Sequence, residues 1–276
     1  MGLRVATNMA AISANRVLGK TNDAQNKSFQ RLSSGSRITQ AGDDAAGLSI
    51  SENLRAQIRS TGEAEKNANN GISLVQVAEG GLSEVGNILV RLRELSIQAA
   101  SDTIGDKERG FINQEVQSLT AEVDRIANVT TFNGTPLLNG QGKSQLDLQV
   151  GIRSDEHDRI GFNVSENDVR ADALGISGVK SESIEDARSS IDSVDNALNK
   201  VSETRARLGA MQNKLHSTAN NLAITKENLI SARSRISDTD IAEETSNLVR
   251  ENILQQAGIA VLAQANQNPM TALKLL

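Results

Sequence analysis

The sequence has no cysteine, no tryptophan and no tyrosine, and only four phenylalanines in 276 residues. Without cysteine there can be no disulfide framework, no thiol catalysis and no Cys-ligated zinc. A thick globular interior leans on aromatic side chains for buried area. Here the apolar content is Ala, Leu, Ile and Val, which suits thin seams between helices. Net charge is −5 with acids and bases interspersed. That balance argues against nucleic acid as a partner, because a nucleic-acid surface needs a basic stripe. The longest apolar run, Gly258 to Ala263, is far too short to cross a bilayer, so no membrane insertion is expected. Met1-Gly2-Leu3-Arg4-Val5-Ala6 shows no basic region followed by an apolar core, so no cleaved leader is expected.

Catalytic constellations are also missing. No P-loop and no G-x-S-x-G occurs, and the two histidines, His157 and His216, lie too far apart for H-E-x-x-H. Asp155-Glu156-His157-Asp158 is the most metal-like cluster, but it has no second histidine nearby and reads as a solvated turn. Asp43-Asp44 reads as a helix cap rather than a carboxylate pair. The chain is therefore expected to be no enzyme and to carry no cofactor or metal.

What is present is periodicity. Ala187, Val194, Val201, Leu208, Leu215, Leu222, Leu229 and Ile236 recur at every seventh position. Ile184, Ile191 and Leu198 lie three residues ahead of the first three, and then the second stripe breaks at Arg205. A heptad sustained this long predicts one continuous helix with a partner along its length. At ~1.5 Å per residue it would be about 75 Å long. Val75, Ala78, Leu82, Val85, Leu89, Leu92 and Ala99 give a second strong stripe. Ile112, Val116, Leu119, Val123 and Ile126 give a third, after a polar connector from Ser101 to Gly110.

The chain ends are weaker. Residues 4–33 predict a helix whose best stripe, Ala11, Ala14, Leu18, Thr21, Gln25, Ser28 and Leu32, is half small or polar and buries little area. Ser33-Ser34-Gly35 interrupts it, and a helix restarts near Asp44 and runs to about Asn67. Asn70-Gly71 reads either as a turn or as a glycine inside one longer helix. The last helix, 240–267, carries Leu248, Ile253, Ala257, Ala260 and Val261 on one face and is expected to end at Pro269. In the middle, Asn133-Gly134, Pro136, Asn139-Gly140, Gly142, Gly151 and Gly161 surround two alternating runs, Leu146–Val150 and Ile160–Val164. These predict a small β-hairpin region at about 130–178. The fold expected is mainly α, a long antiparallel helical rod or coiled-coil hairpin with that β-hairpin in the middle of the chain. The two weak ends are expected to sit side by side and to order against other copies of the molecule.

Several blocks resemble bacterial flagellins. Ser33-Ser34-Gly35-Ser36-Arg37-Ile38 followed by Ala41-Gly42-Asp43-Asp44-Ala45-Ala46-Gly47-Leu48 is similar to the N-terminal signature. Asn67–Leu74, Arg91–Gln98, Glu122–Ala127, Phe132-Asn133-Gly134 and Gln264–Pro269 continue it in order. The resemblance covers nearly the whole chain and lacks the large outer insert of longer flagellins. It implies a filament subunit that polymerises for swimming motility, with 1–40 plus 236–276 as an inner coiled-coil domain and 41–235 as an outer helical rod. Leu18, Leu32, Leu248, Ile253 and Val261 would then belong to the assembly helices. It further implies an extracellular location reached by type III export, with an export chaperone and filament cap and junction proteins as partners. The Arg91–Gln98 block resembles the segment sensed by a Toll-like innate receptor, with Arg91, Leu95 and Glu115 as candidates. The usual polar residue before that arginine is Val90 here. A hook–filament junction protein and a chemoreceptor-like signalling hairpin share some of these features.

Overall fold

The computed structural model describes residues 7–141 and 143–273. Met1–Ala6, Gly142 and the tail beyond Leu273, all used above, lie outside the described residues. The chain is mainly α-helical, in the order α1 (Met9–Ser34), α2 (Ala45–Ala99), α3 (Asp106–Val129), β1 (Thr131–Phe132), β2 (Thr135–Pro136), β3 (Gln145–Gln149), β4 (Arg159–Asn163), α4 (Ala171–Leu174), α5 (Ile184–Ser237) and α6 (Ile241–Leu273). It divides into two compact units. One combines both ends of the chain, up to Ile58 and from Glu227, and the other is Arg59–Lys226. Helices α2 and α5 contribute to both.

The central unit, Arg59–Lys226, owns the aliphatic core. Leu82, Val85, Leu89 and Leu92 of α2, Val116 and Val123 of α3, and Val194, Val201, Leu208 and Leu215 of α5 are buried together. The heptad residues of α5 from Ala187 to Leu215 are all buried, which is where the seven-residue stripe spends its apolar area. The connector expected from Ser101 to Gly110 is shorter, because α3 already begins at Asp106. Asp106 and Glu108 place two carboxylates in its first turn, where the helix dipole favours negative charge. Arg109 is buried there with each of its three nitrogens donating a hydrogen bond. Its Nε donates to the Ala99 carbonyl, its Nη2 to the Ser101 carbonyl and its Nη1 to Asp106, each at 2.9–3.0 Å. One guanidinium thus satisfies carbonyls that the end of α2 leaves open.

Asn70-Gly71 is no turn, since α2 runs through it without a break. The glycine is there for close approach. A Cβ on Gly71 would fall 2.6 Å from Leu148 Cδ1 and 3.3 Å from Leu215, so the β-hairpin and α5 both press on this point of the helix. That hairpin pairs β3 with β4 antiparallel, Leu146 opposite Phe162 and Leu148 opposite Ile160, one residue ahead of the runs read from alternation. Its inward residues Ile160 and Phe162 are buried. A second, two-residue pair, β1 with β2, was too short to show alternation. It closes over Asn133-Gly134, both at positive φ (50° and 76°), as a two-residue hairpin turn of the primed type requires.

Phe162 and Phe111 are opposites, 1% and 70% exposed. Phe162→Ala is expected to cost the central unit about 3–5 kcal/mol. Phe111→Ala should stay within about 0.5 kcal/mol of the parent. Urea unfolding of the two variants, followed by circular dichroism, checks both.

Candidate functional site

The terminal unit is built around α1 and α6, which run antiparallel. Between them and the rest of the unit, the two connectors pair: Ser36 bridges Asp238, Arg37 N donates to the Ser237 carbonyl at 2.7 Å, and Thr239 N donates to the Gly35 carbonyl at 3.0 Å. Asp44 caps α2 by accepting from Gly47 N at 2.8 Å, which settles its capping role. Asp43 does something else. Its carboxylate accepts from Thr39 Oγ1 at 3.0 Å and from the Thr39 and Gln40 backbone amides, closing the 39–43 turn.

The seam between α1 and α6 mixes polar side chains with Ala and Leu. On α1 the covered positions are the stripe read from sequence, Ala11, Ala14, Leu18, Thr21, Gln25, Ser28 and Leu32, together with Asn22, Ala24 and Arg31. On α6 they are Glu244, Asn247, Leu248, Glu251, Asn252, Gln255, Gly258, Leu262 and Ala265. Asn252, Gln255 and their α1 partners hydrogen-bond directly across the seam. Arg31 Nη1 lies 3.8 Å from the buried Glu244 carboxylate. Sequence reasoning named Gln25 but missed Asn8, Asn22, Asn252 and Gln255. The signal that marks the central four was available: two amide side chains three residues apart on each helix.

Most of the large apolar side chains point away from this seam. Met9, Ile12, Val17 and Phe29 on α1, and Ile241, Val249, Ile253, Leu254, Ile259 and Val261 on α6, are all more than half exposed. This divides the face expected on α6. Leu248 turns into the seam, whereas Ile253, Ala257, Ala260 and Val261 are exposed. Leu18 and Leu32 are half-buried against the seam. A helix with apolar residues on several sides wants burial on each of them, and ten large apolar side chains more than half exposed on two helices are the mark of a surface that takes a partner.

Helix α6 also continues past Pro269 to Leu273, where an end was expected. A proline has no N–H and frees the carbonyl four residues back, which is that of Ala265. Asn8 Nδ2 donates to that carbonyl at 2.8 Å. The hydrogen bond that the helix loses at Pro269 is thus replaced from the start of α1, so the helix has no need to stop.

The Arg91 block lies in the central unit. Arg91 donates from Nε and Nη2 to Glu115 Oε1 at 3.0 and 2.9 Å, and from Nη1 to Glu94. Both Arg91 and Glu115 are exposed, but Leu95 is buried in the core at 2% exposure. Two of the three candidates therefore share a surface ion pair and the third faces inward. The Asp155–Asp158 turn is mostly exposed, with Asp158 accepting from Arg153 N, and His216 is an exposed position on α5.

Comparison with known proteins follows the geometry. Residues 5–143 match the family model described as the bacterial flagellin N-terminal helical region, and 191–276 match the C-terminal helical region. The chain belongs to the flagellin family. It is 44% identical over 269 residues to a flagellin of Halalkalibacterium halodurans, covering 98% of each chain. It is 43% identical to a flagellin of Bacillus subtilis, covering 99% of this chain and 100% of the relative. With the flagellar filament 31.3 kDa core protein of Treponema maltophilum it shares 41% over 284 residues, again 98% of each. The crystal structure of Bacillus cereus flagellin aligns with a TM-score of 0.51 at 26% identity, over 57% of this chain and 88% of that one. A putative flagellar hook-associated protein from Vibrio parahaemolyticus aligns at 0.58 over 71% of this chain and 100% of that one, but at 15% identity it shows a shared fold alone. Membership of a family of filament proteins replaces the signalling-hairpin reading.

The Asp43 turn gives a pH test of the flagellin's terminal unit. The hydrogen bond from Thr39 Oγ1 is the largest influence and holds the Asp43 carboxyl below the ordinary 3.8, against the opposing effect of burial. A carboxyl whose folded pKa is depressed stabilises above its unfolded value and loses that contribution as pH falls through the folded one. The Asp43 side-chain carbon resonance is expected to titrate below pH 3.8, and Thr39→Val should move its midpoint upward. A midpoint unchanged by Thr39→Val would remove Thr39 as the cause.

Proposed function

We infer that this chain is a structural subunit of the bacterial flagellar filament, an extracellular polymer of many copies that serves swimming motility. The observation that carries the reading is the distribution of polarity in the terminal pair, with amides bonded across the seam and most of the large apolar side chains outside it. Alone in water that arrangement is poor. In a lattice of like subunits each exposed apolar residue gains an apolar neighbour. Taking a half-exposed Val, Leu or Ile out of water is worth about 1 kcal/mol, so the ten exposed residues on α1 and α6 together supply on the order of 10 kcal/mol per subunit. A head-to-tail contact that does not close on itself gives a filament rather than a ring.

On this reading 1–40 plus 236–276 form the inner layer and 41–235 the outer rod with its β-hairpin. Ile253 and Val261 are lattice contacts, while Leu18, Leu32 and Leu248 hold the pair together. Export runs through a type III apparatus with the ends unpaired, a chaperone covers the apolar circumference of α6 before delivery, and the filament cap and junction proteins meet the same helices. The exposed Arg91–Glu115 pair is the part of the receptor-like segment that a Toll-like innate receptor could touch, Leu95 acting only from within the core.

Seeded polymerisation tests the reading. The full chain is expected to elongate filament seeds, and a chain trimmed of 1–40 and 236–276 should stay monomeric. Ile253→Lys with Val261→Lys should abolish elongation while the central unit melts as before. Equal assembly by the trimmed chain would overturn the reading.

A further inference from the structure

The amides of the α1–α6 seam are ordered. Gln25 Nε2 donates to Asn252 Oδ1 at 2.7 Å, and Gln255 Nε2 donates to Asn22 Oδ1 at 2.8 Å. From one bond to the next, α1 advances three residues and α6 retreats three. They are successive rungs of one antiparallel ladder, one donated from each helix. Asn8 pins the far end by the same alignment. Its Oδ1 accepts from Ala11 N as the cap of α1 while its Nδ2 takes the Ala265 carbonyl that Pro269 leaves free.

Sliding one helix by a heptad shows what the ladder excludes. Moved one way, Asn22 would face Leu262, Gln25 would face Ile259, Asn252 would face Leu32 and Gln255 would face Phe29. All four amides would then lose their partners to apolar side chains. Moved the other way, Asn22 would face Leu248 and Asn252 would face Leu18, with only Thr245 and Asn15 left to meet the remaining two. Most aliphatic residues discriminate less, because they lie outside the seam, and only Leu18, Leu32, Leu248 and Leu262 would share the amides' loss of partners. An amide pair at a helix seam is a known register device, and here the four amides are half-buried, so a slip strands hydrogen-bonding groups against hydrocarbon.

We propose that the Asn22–Gln255 and Gln25–Asn252 rungs, with Asn8 as end stop, are the specificity-determining residues of the terminal pair. They fix its register and choose which face of each helix turns inward. The apolar circumference is thereby kept in a single phase for neighbouring copies. A heptad slip would displace it by about 10 Å along the axis. The proposal goes beyond the filament reading and rests on it only for who those neighbours are.

The cysteine-free chain permits a direct test. A Cβ at Gly258 would lie 3.3 Å from Leu18 Cδ1, so Leu18→Cys with Gly258→Cys reports the observed register. Leu18→Cys with Ala265→Cys reports a heptad slip. Each full-length double variant is oxidised free in solution, and again as a minor fraction co-polymerised with unmodified chain so that neighbours carry no thiol. Intrachain disulfide is quantified by mass. With the rungs intact, the in-register bond should exceed the slipped one by about tenfold, the order expected when several half-buried amides are stranded together. Replacing one rung (Gln25→Leu with Asn252→Leu) should bring the two yields within about threefold. Exchanging its ends (Gln25→Asn with Asn252→Gln) should restore the preference. Unchanged selectivity in the leucine variant, or mixed products with the rungs intact, would overturn the proposal. Failure to co-polymerise would instead count against the filament reading, and the disulfide ratio in the free chain would still report the register.

Discussion

A hydrogen bond between two neutral side-chain amides adds little net stability, because water offered the same bonds before the helices met. Its value lies in the penalty for misplacement. The terminal unit depends on that asymmetry: its two long helices are joined by groups that lose little by separating and lose much by pairing wrongly. A seam made wholly of hydrocarbon would have held the pair shut and hidden the apolar surface that a filament subunit needs to present. Keeping only a few leucines inside and most of the hydrocarbon outside leaves the pair weak while single and well served when surrounded.

The central unit follows the opposite rule. Its Leu, Val and Ala stripes close on one another, and the β-hairpin adds Phe162 and Ile160 to the same interior. Arg109, a charged group that ends up inside, arrives with each of its three nitrogens hydrogen-bonded. Such a unit can stand without neighbours. A chain that carries both kinds of unit can keep one part folded while the other waits for a lattice, and the long α2 and α5 belong to both.

Much of this could be read in the sequence, and the failures have physical causes. The heptads of α5 and the stripe Ala11 to Leu32 on α1 were legible because helix periodicity survives even when half the stripe is polar. The faces of α6 were not, since apolar residues occur all round it and hydrophobicity no longer marks the inner side. Only the polar residues do so, and Asn252 and Gln255 look like surface residues until the partner is known. Gly71, which left a turn open as one alternative, and Pro269, which pointed to a helix end, share a physical cause. Each weakens a helix locally, but Leu148 and Leu215 fill the space beside the glycine, and Asn8 takes the carbonyl that the proline frees. The compensation comes from residues far along the chain, which local reading cannot supply. Leu95 lies off the stripe that runs through Leu92 and Ala99, yet it is buried in the core. The family resemblance grouped it with exposed Arg91, and the fold separates them.

Hydrogen exchange followed by mass spectrometry, on the free subunit and on the assembled filament, bears most directly on the division between the two units. Amides of 9–34 and 241–267 should exchange within seconds in the free subunit and become protected by several orders of magnitude in the filament, while those of 72–99 and 187–215 stay protected in both. Equal protection of the terminal helices before and after assembly would contradict the account.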